Sequence, residues 1–320
     1  MEQKNILVTF PVTDKQKHSL EMYAPGSHFL YRPREEVTTE DVHNANIIIG
    51  NVNPSQLVGA SKLEWLQLDS AGTNGYLDPG VLPSGTKLTN ATGAYGLAIS
   101  EYMIGVVLEL IKKLHYYRDN QNQRLWKDEG HVTSIQDSRT LVVGLGDIGN
   151  EFARKMDALG SHVNAVKRRP SDKPEYIEEL YLLKDLDKLL PEADIVALCL
   201  PGTEQTRHLF NAKRIKLMKE SAILLNVGRG TVVDTEALCD ALEKGQLYGA
   251  ALDVTEPEPL PPDHRLWKFR NVVITPHTSG QYHLPETLNK IVRISAENLM
   301  RFMNHKELRN EVDFTSGYKK

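Results

Sequence analysis

The sequence predicts an α/β protein with two domains, each built around a parallel sheet. The chain has 320 residues, which is enough for two hydrophobic cores. Short apolar runs alternate with helix-like segments along most of its length, a pattern typical of parallel strands joined by helices. One apolar run ends in Gly-x-Gly-x-x-Gly, at residues 140–149, and the longer series of strands begins there.

The N-terminal series predicts strands at residues 6–10, 46–50 and 65–69, with helices at 39–44 and 54–60. Two loops, residues 50–52 and 70–73, follow carboxyl ends of these strands, where open α/β sheets bind their ligands. Position alone leaves two interpretations of these loops open, substrate contacts and ordinary connections. A helix at 97–117 is apolar on two sides, and a polar segment at 119–138 separates it from the next strand.

The glycine-rich turn lies between a predicted strand, residues 141–143, and an amphipathic helix. In that setting Gly144 permits the tight turn, Gly146 lets a diphosphate approach the backbone, and Gly149 lets the helix pack on the strand. A turn without a ligand is the alternative interpretation.

The segments after this turn predict a doubly wound sheet of six strands. The further strands lie at 162–166, 194–200, 222–227, 247–253 and 272–275, and helices lie at 183–190 and 235–243. A last amphipathic helix, 285–303, is expected to return to the first domain. We therefore place the first domain at residues 1–99 and 288–320, and the second at residues 100–287.

Composition excludes several classes of protein. Hydrophobic residues make up 40%, charged residues 25%, and the formal net charge is -4, values that indicate neither nucleic-acid nor membrane partners. The N-terminus lacks the pattern of a signal peptide, so a cytoplasmic location is expected. Two isolated cysteines, Cys199 and Cys239, indicate neither a disulfide framework nor a metal site, and no metal is predicted.

Five segments resemble the signatures of the D-isomer-specific 2-hydroxyacid dehydrogenase family. They are residues 142–149, 200–206, 226–230, 253–261 and 275–277. The resemblance implies a Rossmann-type doubly wound parallel-sheet cofactor domain and a smaller flavodoxin-like α/β substrate domain built from both chain ends. It also implies contacts to a nicotinamide dinucleotide from Gly144, Gly146, Asp147, Ile148, Gly149, Leu200, Pro201, Thr206, Val227, Gly228 and Asp253. For Asp253 a strand-end cap is the alternative.

The same resemblance implies three catalytic residues. Arg229 binds the substrate carboxylate and carbonyl, Glu258 orients the histidine, and His277 exchanges the proton. The residue types suit reduction of a keto acid, because guanidinium matches a carboxylate and histidines ordinarily titrate near neutral pH. Each of the three could instead be an ordinary loop or surface residue, and Glu256, which also precedes a proline, is the alternative to Glu258.

Cofactor choice is where the sequence departs from the common pattern. NAD-binding members carry an acidic residue about 20 residues past the glycines. Here the strand ends in Lys167, Arg168 and Arg169, which would attract a 2′-phosphate. We therefore predict that NADP(H) is preferred and that NAD(H) is possible, with a solvated basic loop as the alternative.

The predicted function is reduction of a small 2-keto acid to the D-2-hydroxy acid. The residues that the resemblance places at this substrate are Asn51, Val52, Ala71, Gly72, Thr73, Arg229 and His277. Tyr95 and Tyr282 could line the pocket or pack in the core. A nicotinamide-sensing regulatory protein of the same fold is the alternative function, and a homodimer is expected by analogy with the family.

Overall fold

A computed structural model describes residues 2–73 and 75–314 of the chain. The polypeptide folds into two compact units. The first consists of Met1–Tyr95 and Tyr282–Lys320, and the second is Gly96–Gln281. Among the described residues, no helix combines the length and the apolar character needed to cross a bilayer.

The elements of the first unit up to Tyr95 form a βα series. They are β1 (Asn5–Val8), α1 (Asp14–Glu21), β2 (His28–Tyr31), α2 (Thr39–Asn44), β3 (Ile47–Ile49), α3 (Pro54–Leu57), β4 (Trp65–Gln67) and β5 (Lys87–Thr89). The strands are all parallel and lie in the order β2-β1-β3-β4-β5, which is the flavodoxin-like order.

The second unit opens with two helices and continues as a longer βα series. Its elements are α4 (Gly96–Ile111), α5 (Leu114–Asn122), β6 (Arg139–Val143), α6 (Asp147–Ala158), β7 (His162–Lys167), β8 (Leu180–Leu182), α7 (Leu186–Leu189), β9 (Ile195–Leu198), α8 (Ala212–Leu217), β10 (Ile223–Asn226), α9 (Thr235–Glu243), β11 (Gly249–Leu252) and β12 (Val272–Ile274). The chain then returns to the first unit through α10 (Pro285–Met303).

The sheet of the second unit is also entirely parallel, in the order β12-β11-β10-β9-β6-β7-β8. Strand order reverses between β6 and β9, so the glycine-rich turn after β6 stands at the switch point where such sheets bind ligands. Apolar side chains of β6, β9, β10 and β11 pack with α9 in a continuous core. This core fixes the strand ends that carry the candidate site.

The structure corrects several predictions of individual elements. The second sheet has seven strands rather than six, and β2, β5 and β8 were not predicted. All three are edge strands of three or four residues, and β2 and β8 have no buried residue. Their apolar runs are too short for periodicity to distinguish a strand from other structure. The helix expected at 97–117 is two helices, because Lys113 adopts a left-handed conformation between them, with φ 58°. The helix expected at 183–190 is the short α7 flanked by 3₁₀ turns.

Candidate active site

The segments singled out by sequence lie along one edge of the second unit's sheet. Val143 pairs with Val166 and Leu198, and the register continues from Leu198 through Asn226 and Leu252 to Ile274. Since the strands are parallel and in step, the loops that follow them emerge side by side. This edge therefore carries the glycine turn, the basic residues after β7, and Arg229, Asp253 and His277.

His277 and Glu258 form a close pair. The Nδ1 atom of His277 lies 2.6 Å from Oε1 of Glu258, and both side chains are nearly half exposed. An ionised carboxylate can only accept hydrogen bonds, so we assign the Nδ1 proton to this contact. The Nε2 atom is then the one available to exchange a proton with a substrate.

Asp253 holds the loop that presents His277. Its buried carboxylate accepts hydrogen bonds from Thr275 Oγ1 at 2.7 Å, Thr278 N at 2.9 Å and Ser279 N at 3.2 Å, while its carbonyl accepts from His277 N at 2.8 Å. His277 itself has φ 52°, a left-handed conformation that is uncommon for side chains other than glycine. These hydrogen bonds match a strand-end cap, which was the alternative interpretation of Asp253 in the sequence. A contact between Asp253 and nicotinamide stays a prediction.

Arg229 lies at the start of a 3₁₀ turn that follows β10 and is partly buried. Burial lowers the pKa of its guanidinium, and the negative charge of Glu258 opposes that effect. Glu258 therefore interacts with both Arg229 and His277, so the structure brings the three sequence-predicted catalytic residues together. The side chain of Arg229 also packs on Gly202: a Cβ added to Gly202 would lie 3.1 Å from Cγ of Arg229.

Glu256 and Glu258 both precede a proline, and the resemblance to the family favoured Glu258; in the structure the two carboxylates have different partners. Glu258 contacts His277, whereas the carboxylate of Glu256 contacts Arg207 and His208 at 2.8 and 2.7 Å. This geometry favours Glu258 as the residue that orients the histidine.

The glycine turn fits a diphosphate. Helix α6 begins at Asp147, its N-cap is Gly146, and no side chain caps its first amides. The carboxylate of Asp147 is directed to the amide of Gly96 at 3.0 Å, and Ile148 is half-buried in the first turn. Amides of a helix N-terminus that lack a side-chain cap favour an anion, so Gly146, Asp147 and Ile148 are suited to hold one.

The other cofactor candidates surround this turn. An added Cβ on Gly144 would lie 3.0 Å from Leu200 Cδ2, and one on Gly228 would lie 2.3 Å from the carbonyl oxygen of Leu200. Val227 is buried beside them. The hydroxyl of Thr206 donates to the carbonyl of Pro201 at 2.7 Å and so shapes the loop after β9.

The basic residues end β7 next to the same turn. The amide of Gly144 donates to the carbonyl of Val166 at 2.9 Å, which sets Lys167 beside the glycines. The ammonium of Lys167 contacts Ser171 Oγ at 2.8 Å, and Arg168 and Arg169 are exposed.

The substrate candidates of the first unit also lie at carboxyl ends of strands. Asn51 follows β3 and accepts a hydrogen bond from Asp69 N at 3.2 Å, while Val52 is buried and its carbonyl accepts from Tyr76. The loop that contains Ala71, Gly72 and Thr73 is held by hydrogen bonds to the carbonyls of Ala71 and Gly72. The structure thus joins the two loops at one edge of this sheet.

Sequence reasoning missed two buried polar residues, Asn226 and Asp69, that shape loops of the candidate site. The side chain of Asn226 accepts from Gly228 N at 3.1 Å and donates to the carbonyl of Arg229 at 2.9 Å. In the first unit, Tyr282 donates to the carboxylate of Asp69 and Tyr95 donates to its carbonyl. Burial raises the pKa of Asp69 to about 6. A polar residue at the end of an apolar strand is the signal that could have identified both.

Comparison with known proteins assigns the family. The model of the NAD-binding domain of D-isomer-specific 2-hydroxyacid dehydrogenases matches residues 104–279. A glyoxylate reductase of Thermofilum pendens is 31% identical over 259 residues, 79% of this chain and 76% of that protein.

Two solved structures are similar over nearly the whole chain. A D-isomer-specific 2-hydroxyacid dehydrogenase family protein from Aeromonas salmonicida is 33% identical with a TM-score of 0.86, covering 98% of this chain and all (100%) of that one. A D-isomer-specific 2-hydroxyacid dehydrogenase from Xanthobacter autotrophicus, in complex with NADPH and MES, is 25% identical with a TM-score of 0.83, covering 99% and 100%.

Fold and site together define a nicotinamide-dependent oxidoreductase with a Rossmann-type domain. More specifically, the chain belongs to the D-isomer-specific 2-hydroxyacid dehydrogenase family. The family and the fold class predicted from the motifs are both confirmed.

Proposed function

We propose that the protein reduces a small 2-keto acid to the D-2-hydroxy acid and prefers NADPH as the hydride donor. The observation that carries the proposal is the His277–Glu258 contact of 2.6 Å beside partly buried Arg229, on the sheet edge that holds the glycine turn. The glyoxylate reductase relative and the NADPH complex of the Xanthobacter protein support the substrate class and the cofactor.

The chain's own residues would perform the steps other than hydride donation. NADPH, when bound, supplies the hydride. The guanidinium of Arg229 would hold the substrate carboxylate through two parallel hydrogen bonds and polarise the neighbouring carbonyl. As the carbonyl oxygen gains negative charge, His277 would transfer its Nε2 proton to it, and Glu258 would keep the imidazole in the required orientation.

Further substrate contacts are proposed for Asn51, Val52, Ala71, Gly72 and Thr73. Because Val52 is buried, its contribution would come from the backbone. The hydrogen bonds of Asn51 to the chain after β4 would keep both loops in one arrangement.

The proposed activity is tested with purified protein, NADPH and a panel of 2-keto acids from glyoxylate to phenylpyruvate. We expect turnover on at least one acid at an ordinary enzyme rate, about 1 s⁻¹ or faster. Cofactor binding without such turnover on any acid would contradict the proposal and favour the nicotinamide-sensing alternative.

The basic residues after β7 provide a prediction about cofactor choice. Replacing Arg168 and Arg169 together with alanine is expected to raise the KM for NADPH about 10- to 100-fold, the range for loss of charge-assisted hydrogen bonds. The KM for NADH should change little, because NADH lacks the 2′-phosphate. Steady-state kinetics with each cofactor at a fixed keto acid concentration measures both values.

Arg139 is a matched control for this pair. It is an exposed arginine at the opposite end of the same sheet, where it pairs with Glu192 at 2.5 Å. Arg139→Ala should leave both KM values unchanged. Wild-type protein that uses NADH ten times better than NADPH would refute the preference.

Two glycines of the turn are expected to respond differently to alanine. An added Cβ on Gly149 would lie 2.1 Å from the carbonyl oxygen of Gly144, so Gly149→Ala should destabilise the fold by about 1–3 kcal/mol. At Gly146, within the part of the chain that the structure describes, no heavy atom lies within 4 Å of such a Cβ. Gly146→Ala should therefore keep its melting temperature yet bind NADPH about tenfold more weakly or worse, since it fills the space proposed for the diphosphate.

Thermal unfolding without cofactor and fluorescence titration with NADPH separate these two effects. Equal affinity of Gly146→Ala and wild-type protein would place the diphosphate elsewhere. Equal stability of Gly149→Ala and wild-type protein would contradict the close packing of α6 on β6.

A homodimer is also proposed. Family resemblance is one basis, and the side chain of Trp126, fully exposed beside the half-exposed Leu125, is another. We propose that a second copy covers these two side chains, since exposed apolar surface is removed from water in an interface. Analytical ultracentrifugation tests the proposed homodimer, because it measures the mass of the protein in solution.

A further inference from the structure

Glu256 stands two residues before Glu258, in the loop after β11, and binds two basic side chains. Its Oε1 accepts from Arg207 Nη1 at 2.8 Å and its Oε2 contacts His208 Nε2 at 2.7 Å. Burial alone would raise the pKa of Glu256, but His208 and Arg207 outweigh that effect and hold the pKa below its ordinary value. The group is therefore a carboxylate at neutral pH, with each oxygen in use.

His208 is in turn bonded to the segment that carries Arg229. The amide of His208 donates to the carbonyl of Thr231 at 2.8 Å, and the amide of Phe210 donates to the carbonyl of Val232 at 3.0 Å. Thr231 is two residues beyond Arg229, in the same 3₁₀ turn. The loop after β9 thus runs alongside the Arg229 turn.

The Arg229 turn also packs directly on the loop that leads to Glu256. An added Cβ on Gly230 would lie 1.8 Å from the carbonyl oxygen of Thr255 and 2.7 Å from the amide nitrogen of Glu256. Only glycine permits this approach of two backbones. Three loops therefore meet at Glu256: the loop with His208, the turn with Arg229 and the loop with Glu258.

We propose that Glu256 is a positioning residue for the reduction. By binding Arg207 and His208, Glu256 fixes the loop from which Glu258 reaches His277 and keeps that loop aligned with the turn that carries Arg229. This inference rests on the proposed function, because its consequence is the geometry of the catalytic residues. Asp253 holds the start of the same loop by bonding to the His277 segment. Glu256 fixes the later part of this loop, which Asp253 does not hold.

The ion pairs are too exposed for a mainly stabilising role. The side chains of Arg207 and His208 are 48% and 39% exposed, and that of Glu256 is 27% exposed. Ion pairs exposed to this extent contribute little to the free energy of folding. Removing them should therefore act on the alignment of Glu258 more than on stability.

The test compares Glu256→Ala with a matched control, Glu178→Ala. Glu178 forms another exposed carboxylate–histidine pair in the same unit, with His162 at 2.5 Å, at the opposite end of the sheet. For Glu256→Ala we expect kcat about tenfold lower, since small misplacements of catalytic groups have effects of that size or larger. The melting temperature and the Kd for NADPH should stay at the wild-type values.

Two further readouts distinguish positioning from a purely structural role. Amide hydrogen exchange of residues 253–259 should be faster in Glu256→Ala than in Glu178→Ala. The midpoint of the pH profile of kcat/KM should move in the same direction as in Glu258→Gln. Glu256→Gln, which keeps one hydrogen-bond acceptor, should recover part of the lost kcat.

His208→Asn tests the same contact from its other side. Asparagine tolerates the left-handed backbone of this position, where φ is 46°, but is too short to replace the histidine. We expect a loss similar to that of Glu256→Ala, and no further loss in the double variant. If Glu256→Ala does not fold, His208→Asn decides the question.

The proposal is overturned if Glu256→Ala and His208→Asn keep the kcat and the pH profile of Glu178→Ala, or if their losses multiply in the double variant. Wild-type protein without keto acid turnover would instead overturn the proposed function, so the two failures are distinguishable.

Discussion

Replacing His277 with asparagine is expected to lower kcat for keto acid reduction by about 10²- to 10⁴-fold, the usual contribution of a positioned general acid. Asparagine is the suitable substitution because it tolerates positive φ, and His277 has φ 52°. The loop held by Asp253 should therefore keep its conformation, and the change removes the proton donor alone. Stopped-flow measurement of NADPH oxidation gives the rate of the chemical step.

The corresponding control is His162→Asn. His162 is also a half-exposed histidine with a carboxylate partner, but it lies at the amino end of β7. The His162→Asn substitution should leave kcat unchanged. Both variants should bind NADPH with wild-type affinity, and a His277→Asn protein with the wild-type kcat would remove His277 from the mechanism.

Sequence predicted the helices best where local chemistry specifies their ends. The predicted bounds of α2, α9 and α10 agree with the structure. Thr38 forms a capping box at α2, Asp234 caps α9, and a proline occupies the first turn of α10. These signals reside within a few residues of the helix, so no tertiary information is needed.

Features that depend on distant parts of the chain were not predictable. Edge strands such as β8 are paired on one side only and are short; Leu180–Leu182 is apolar, but three residues are too few for periodicity to distinguish a strand from other structure. The break at Lys113 has no glycine or proline to mark it. Its left-handed conformation is a property of the folded chain.

The candidate site shows the same division. Motif order predicted that Arg229 and His277 share a sheet edge, because both follow parallel strands. Glu256 and Glu258 each precede a proline, and only the resemblance to the family favoured Glu258; the folded loop shows directly that Glu258 is the one that meets His277. The hydrogen bonds of Asp253 to its neighbouring loop arise in the same way from tertiary structure.

Arg229→Lys is expected to lower kcat/KM for the keto acid by about 10²- to 10³-fold, the range for losing a donor that stabilises developing charge. Lysine keeps the positive charge but lacks the rigid fork that binds a carboxylate through two bonds. Much of the loss should appear as a higher KM, while the Kd for NADPH stays unchanged. Arg214→Lys is the control, because Arg214 is a partly buried arginine of the same unit that bonds to Asp187 at 2.6 Å.

A substrate without the carboxylate identifies the group that Arg229 binds. Wild-type protein should reduce pyruvamide far more slowly than pyruvate, because the amide cannot accept a charge-assisted pair of hydrogen bonds. In Arg229→Gln the difference between these two substrates should largely disappear, since the guanidinium that distinguishes them is absent. An undiminished preference for pyruvate in Arg229→Gln would assign the carboxylate to another residue, and the proposed role of Arg229 would then be limited to polarising the carbonyl.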